Sequence, residues 1–379
     1  MKYSCAPALA ALLIFGLLAS TLPAAAKKKK KDEEITQTLE VLPDPPAAIK
    51  AETARLVFHT SPLTARGLLS QQVRDSIKAL WRAPQLGQII KLRAFVAGTG
   101  DMRRVQAIVA EMFSEKKLPL PVISTIQVGA LPMEGAQVLL EATSVTRKPV
   151  NPHGLAFLSG QAATAELKAD QPSLAVAPLT VTSLNNLRKV LEGINLAPPD
   201  VLRVSCFVSS LDDYSEVNRL VRAEYPQAAT TIVQTQRSPS NSIVECEAVA
   251  RLRKPPAKPV ELVNPPGVPA SPNYSQAALV NVPFLTFSGT QLAFRAQDAD
   301  IRLAFERLQH NLEPVKTPIQ NTIMSSVYPL SGAIANRVRA IRFEFYDKAR
   351  PPASTMLPFE GLPSLDASFA IDVVAVPEQ

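Results

Sequence analysis

Hydrophobic and polar positions follow the same succession three times along the chain. In residues 92–145 an apolar run, LRAFVAG, gives way to a polar turn. Apolar residues at helical spacing follow, and then two further apolar runs separated by a turn that contains proline. Residues 204–252 repeat this succession, and residues 323–376 carry a more divergent copy that ends SFAIDVVAV. The pattern predicts strand, helix, strand, turn and strand in each copy. Phe95 and Phe207 hold the same place in the first two copies, 112 residues apart. The acidic residue of the closing strand recurs as Glu141, Glu247 and Asp372, at offsets of 106 (141 to 247) and 125 (247 to 372). A period of this length is too long for a solenoid unit and predicts tandem domains.

Between these runs the spacing places further elements. Residues 36–41 and 54–60 read as strands, with a turn of three prolines between them. Leu69, Val73, Ile77 and Leu80 have helical spacing, which predicts a helix over 68–83 with Trp81 beside its apolar stripe. Asp101 is placed to cap a helix ending near Phe113, and Asp212 or Asp213 to cap the one that stops before Pro226. A helix is expected over 184–194 and others over 300–312 and 331–346. The stretch 254–272, rich in proline and valine, reads as a linker. The expected organisation is a leader at 1–26, a charged tail at 27–35, and domains at 36–148, 149–256 and 257–379. Each domain is α+β, with two helices on one face of a small sheet.

The first 26 residues have the form of a secretory signal peptide. Lys2 supplies the positive start, LAALLIFGLLA the apolar centre, and Ala24, Ala25 and Ala26 the cleavage site. This predicts a periplasmic or secreted protein with no transmembrane span after cleavage. The chain has 40 basic and 33 acidic residues, a net charge of +7. Lys2 and the run from Lys27 to Lys31 supply six of those cations, so the remainder is close to neutral. That argues against a nucleic-acid partner. The lysine run could make weak contact with an anionic envelope surface, or be only a solvated tail. Cys206 and Cys246 both fall in strands of the second domain. The sequence leaves a disulfide open and favours two buried, unpaired thiols. His59, His153 and His310 are scattered among the domains, so no metal site and no cofactor is read.

Several short motifs carry a resemblance. They are NYSQA at 273–277, FSGTQ at 287–291, FLSGQ at 157–161, NLRKVLE at 186–192, DYSEVN at 213–218 and VECEAVA at 244–250. They are similar to PYSQA, VSGQ, NIKAILE, DFATVN and VEIEAIA of the RidA/YjgF family. The resemblance implies a chorismate-mutase-like fold and a trimer with ligand clefts between neighbouring subunits. Three such domains on one chain then imply an internal pseudo-trimer. The resemblance places ligand-binding positions at Tyr274, Ser159, Gly160, Ser288 and Gly289, with Ser61 replacing the glycine in the first copy. Catalytic members grip a substrate carboxylate with an arginine, because a planar guanidinium matches both carboxylate oxygens. Ile123, Thr230 and Ser354 hold that position here, and Arg350 is the nearest substitute by sequence. Glu141, Glu247 and Asp372 match the family's glutamate, which orients an attacking water, and are the catalytic candidates.

With no cation at that position, the clefts are expected to bind a small, less acidic molecule without the family's deaminase activity. Two other readings stand beside this one: a diverged enamine or imine deaminase or hydrolase, and an envelope scaffold.

Overall fold

The computed structural model describes residues 42–98, 100–166 and 175–378. The expected leader, the lysine run and the strand at 36–41 lie outside these residues. The first copy forms β1 (Ala48–Glu52), β2 (Leu56–Thr60), α1 (Leu69–Leu80), β3 (Gln88–Ala97), α2 (Arg103–Glu115), β4 (Val122–Val128) and β5 (Val138–Val145). The second forms β6 (Leu155–Glu166), α3 (Ala177–Gly193), β7 (Val201–Val208), α4 (Tyr214–Glu224), β8 (Ala229–Gln234) and β9 (Asn241–Arg251). The third forms β10 (Val260–Val263), β11 (Ala277–Val280), β12 (Phe284–Ser288), β13 (Gln291–Phe294), α5 (Asp298–Leu312), β14 (Thr322–Pro329), α6 (Gly332–Ile341), β15 (Ala353–Met356) and β16 (Ala367–Ala375). None of the described helices is long and apolar enough to cross a membrane.

Three sheets result. The first is ordered β2-β5-β3-β4, the second β10-β11-β6-β9-β7-β8, and the third β1-β12-β16-β14-β15 with β13 also paired to β16. Helices cover one face of each. In α1 the predicted stripe of Leu69, Val73, Ile77 and Leu80 is buried, together with Val105, Ile108 and Val109 of α2. Each such aliphatic side chain contributes about 1.5–3 kcal/mol on burial. The opposite faces of the three sheets meet one another. Phe95, Phe207, Tyr328 and Phe359 form one shared aromatic cluster, with Phe95–Phe207, Phe207–Phe359 and Tyr328–Phe359 centroids 5.9, 5.5 and 5.3 Å apart. Phe58, Phe157 and Phe287 belong to a second shared cluster.

The chain passes between sheets at two points that the repeat pattern did not reveal. Consecutive strands β1 and β2 lie in different sheets, because β1 pairs with β12 and sets Ile49 opposite Phe287. Likewise β11 pairs with β6, setting Ala278 opposite Phe157, while β12 lies in the third sheet. The stretch expected to be a linker, 254–272, supplies β10 and is part of the second sheet.

Two local expectations change. Asp213 precedes α4, but its carboxylate accepts from the Ala177 amide at 2.7 Å and the Val176 amide at 3.4 Å, and so caps α3. Cys206 and Cys246 are not free thiols. They sit opposite each other on β7 and β9 and form a disulfide, with their Cα atoms 4.1 Å apart. Both face the helix side of the sheet, within the core that includes Leu187 and Val221.

Candidate functional site

Glu141, Glu247 and Asp372 come together at the centre of the molecule. Each lies on the middle strand of its sheet (β5, β9 or β16) and faces the other two sheets. Their cross-strand partners are Arg93, Ser205 and Ser326. The Arg93 guanidinium donates to Glu141 at 2.7 Å and to Glu247 at 2.8 Å. Arg203 donates to Glu247 at 3.2 Å, and Ser205 donates to Glu141 at 2.6 Å. Lys91 lies 2.8 Å from Asp372, which also accepts from Ser124 at 2.7 Å and from Tyr328 at 3.1 Å. Three cations thus face three anions.

Burial opposes the charge of the Glu141 carboxyl, but Arg93 and Arg203 carry it below the ordinary carboxylate value. Burial lowers the Lys91 ammonium, with Asp372 opposing the shift. Beside the cluster is a cavity of only about 30 Å3, walled by Phe58, Phe157 and Phe287 among others. That is room for about one water molecule. The arrangement suits a closed, neutralised core better than a reaction centre.

A different constellation lies where the second and third sheets meet. Register shifts in the β6–β9 pairing between Leu158 and Gln161, so Ser159 and Gly160 bulge from the ladder. The Ser159 hydroxyl donates to the Ser275 carbonyl at 2.6 Å and accepts the Ser354 amide at 2.8 Å. Gly160 leaves space for an acid. A Cβ there would lie 1.9 Å from the Glu245 carboxylate. Glu245 is 6% exposed, and burial, reinforced by the charge of Glu247, pushes its carboxyl up to about 8. Tyr274 is half-buried, and its hydroxyl is raised first by burial and then by Glu245, with Arg339 and Arg342 opposing.

A cation is present here after all. Ser354 holds the position where the sequence led us to expect its loss, yet Arg342 donates to the Ser354 hydroxyl at 3.4 Å. It also donates to the Asn273 carbonyl and stacks over Phe343 at 5.1 Å. Arg342 is 1% exposed, burial lowers it to about 10, and its Nε has no partner among the described residues. Arg350, the substitute suggested by sequence, is exposed and pairs with Asp347 at 3.2 Å.

The remaining predicted positions do not join this group. Thr230 lines an open cleft of about 620 Å3 between β2 and β8, together with Ser61, Asn218 and Arg222. The Ser288 hydroxyl accepts the Val373 amide at 2.9 Å, and Gly289 donates to the Ala47 carbonyl at 2.8 Å, so both serve the third sheet. Ile123 packs against the first sheet's core, and its carbonyl accepts the Thr290 amide at 3.1 Å. Sequence reasoning missed Glu245 and Arg342. The signal for Glu245 was in VECEAVA, where two glutamates alternate and only Glu247 was chosen. For Arg342 the only sign was a cation at the end of an apolar helical stripe.

Residues 147–252 match the family model described as Endoribonuclease L-PSP. A RutC family protein of Pyrococcus horikoshii is 26% identical over 113 residues, covering 27% of this chain and 89% of that protein. Among solved structures, a putative endoribonuclease of Thermotoga maritima is 25% identical with a TM-score of 0.22, covering 28% of this chain and 86% of its own. The YjgF gene product of E. coli is 22% identical with a TM-score of 0.23, covering 28% and 94%. The segment 147–252, which holds β6 to β9 and both helices of the second sheet, is the part of this chain that matches the RidA/YjgF family.

Proposed function

We infer that this protein binds a small carboxylate at the junction of the second and third sheets, without turning it over. The observation that carries this reading is the buried guanidinium of Arg342, set beside Ser354 and Tyr274 with an unpartnered Nε. At neutral pH Glu245 is protonated, so it can donate to an anion but cannot act as a base. Arg342 and Glu245 together favour an acidic ligand, the reverse of the preference argued from the missing arginine. The other three acids are held in ion pairs. Although Oε2 of Glu247 has no partner among the described residues, the cavity at the cluster has room for about one water molecule and none for a ligand. In this reading the chain is three diverged copies arranged as a pseudo-trimer, an architecture supported by the shared inner clusters. Export through cleavage after Ala26 completes it. A disulfide between Cys206 and Cys246 suits an oxidising compartment.

Calorimetric titration with pyruvate and propionate tests the site. One site per chain is expected at pH 7, lost in Arg342→Met and retained in Glu245→Gln. At pH 9 the wild-type affinity should fall about tenfold as Glu245 ionises, while the Glu245→Gln variant is spared. Undiminished binding by a folded Arg342→Met variant refutes the site. Ammonia release from an enamine generated in situ, abolished by Glu245→Gln, would instead establish an enzyme.

A further inference from the structure

Among the described residues, the second and third sheets are each completed by a strand from elsewhere in the chain, and the first sheet has no such strand. On the third sheet, β12 pairs along its outer edge with β1, and Phe287 faces Ile49 in the same alternation by which Gly289 donates to the Ala47 carbonyl at 2.8 Å. On the second, β6 pairs with β11, and Phe157 faces Ala278 in the alternation by which Ser159 donates to the Gln276 carbonyl at 3.0 Å. The matching strand of the first sheet is β2, where Phe58 holds the place of Phe157 and Phe287. The three phenylalanines lie opposite Thr143, Val249 and Val374, each two residues beyond Glu141, Glu247 or Asp372.

Among the described residues, no strand lies outside β2. The ladder with β5 uses the alternate residues, since Ser61 donates to Leu140 and Thr146 donates to Arg55. Leu56, Phe58 and Thr60 therefore aim their backbone groups outward. The Asn151 side chain donates to the Leu56 carbonyl at 2.8 Å and so closes one end of the edge. The outward backbone groups of Phe58 and Thr60 have no partner among the described residues. Thr60 also borders the open cleft of about 620 Å3.

The geometry points to the outer edge of β2 as a docking site for an extended segment of another protein, added antiparallel as a short strand. Its chemistry is set by the two filled positions. Backbone groups exchange hydrogen bonds with Phe58, and the residue opposite Phe58 is small or aliphatic, as Ala278 and Ile49 are. The close neighbouring sheet does not exclude such a strand. Next to β6, which carries β11, the Ser159 hydroxyl still accepts the Ser354 amide of β15 at 2.8 Å.

The test uses the full chain and the acetylated, amidated peptide Ala-Ala-Leu-Val-Asn, the sequence of residues 277–281. One-to-one saturable binding is expected, with the Phe58 and Thr60 amides slowed in hydrogen exchange. Methylating the backbone nitrogen of the second alanine should weaken binding at least about tenfold, because it removes one bond to Phe58 and adds a clash. Thr60→Pro should weaken it likewise while keeping the β5 ladder, which does not use the Thr60 N–H. Binding that leaves the Phe58 and Thr60 amides unprotected, or no saturable binding, overturns the proposal. So does a dimer of the chain alone that protects the same two amides, since the occupant would then be a second copy.

Discussion

Arg93 and Glu245 show how differently two buried ionisable groups can behave within one molecule. Arg93 holds two carboxylates, so Arg93→Ala leaves Glu141 and Glu247 with Arg203 as their one neighbouring cation among the described residues. A loss of about 3–5 kcal/mol in urea unfolding is expected. Glu245 has no such partner and stays protonated in the fold. An unfolded glutamate ionises above its ordinary value of 4.5, whereas Glu245 in the fold does so only near 8. The folded state therefore binds the extra proton between those values, and stability falls as pH rises through that window. Glu141 has the opposite sign. Its lowered value gives stability that is present above 4.5 and is lost as pH falls. Urea midpoints measured from about pH 2 to pH 9 should show both limbs, and Glu245→Gln should flatten only the upper one. An unchanged upper limb would mean that another group titrates there. Part of this was readable in advance. The three acids were found from their recurrence, but a recurrent acid on a middle strand faces the common axis as readily as a cleft. Sequence alone does not say which.

At the scale of elements, helices and middle strands were legible because their burial is one-sided and periodic. Leu69, Val73, Ile77 and Leu80 fixed α1 to within a few residues. The strands that escaped notice, β1, β10, β11 and β13, have four or five residues each and lack a full alternation. Their pairing is set by distant partners, which local pattern does not encode. Gly154 tests the exchanged strand β11. It has φ +91°, and a Cβ there would lie 1.9 Å from the Val280 carbonyl. Gly154→Ala should cost about 2 kcal/mol or more and loosen β11 from β6, visible as faster amide exchange at Ala278 and Val280. Asp213 gives a second test, because it caps α3 across the core instead of its own helix. Asp213→Ala should lower stability by about 1 kcal/mol. In thiol titration of unreduced, denatured protein, Cys206 and Cys246 should not react, whereas two reactive thiols at those positions would refute the bridge.

For the molecule as a whole, strand exchange binds the sheets into one cooperative body. Light scattering is expected to give the mass of a single chain, and calorimetry a single unfolding transition in place of three. A fragment covering 149–256 alone lacks β11 and β10 and would expose the edge of β6 around Phe157, so self-association is expected. If that fragment remains monomeric and folded, the exchanged strands contribute little. The placement of β1 has a further consequence, which concerns force. β1 and β16 run in the same direction on either side of β12, with Ile49 and Val374 both opposite Phe287. The first described strand and the last are thus about 10 Å apart in one sheet. Tension applied at Leu42 and at the C-terminus pulls these two strands along their lengths in opposite directions. Every backbone bond of β12 is then loaded together, instead of one after another. In single-molecule pulling the third sheet should act as a mechanical clasp, giving one high-force rupture before the rest of the chain extends.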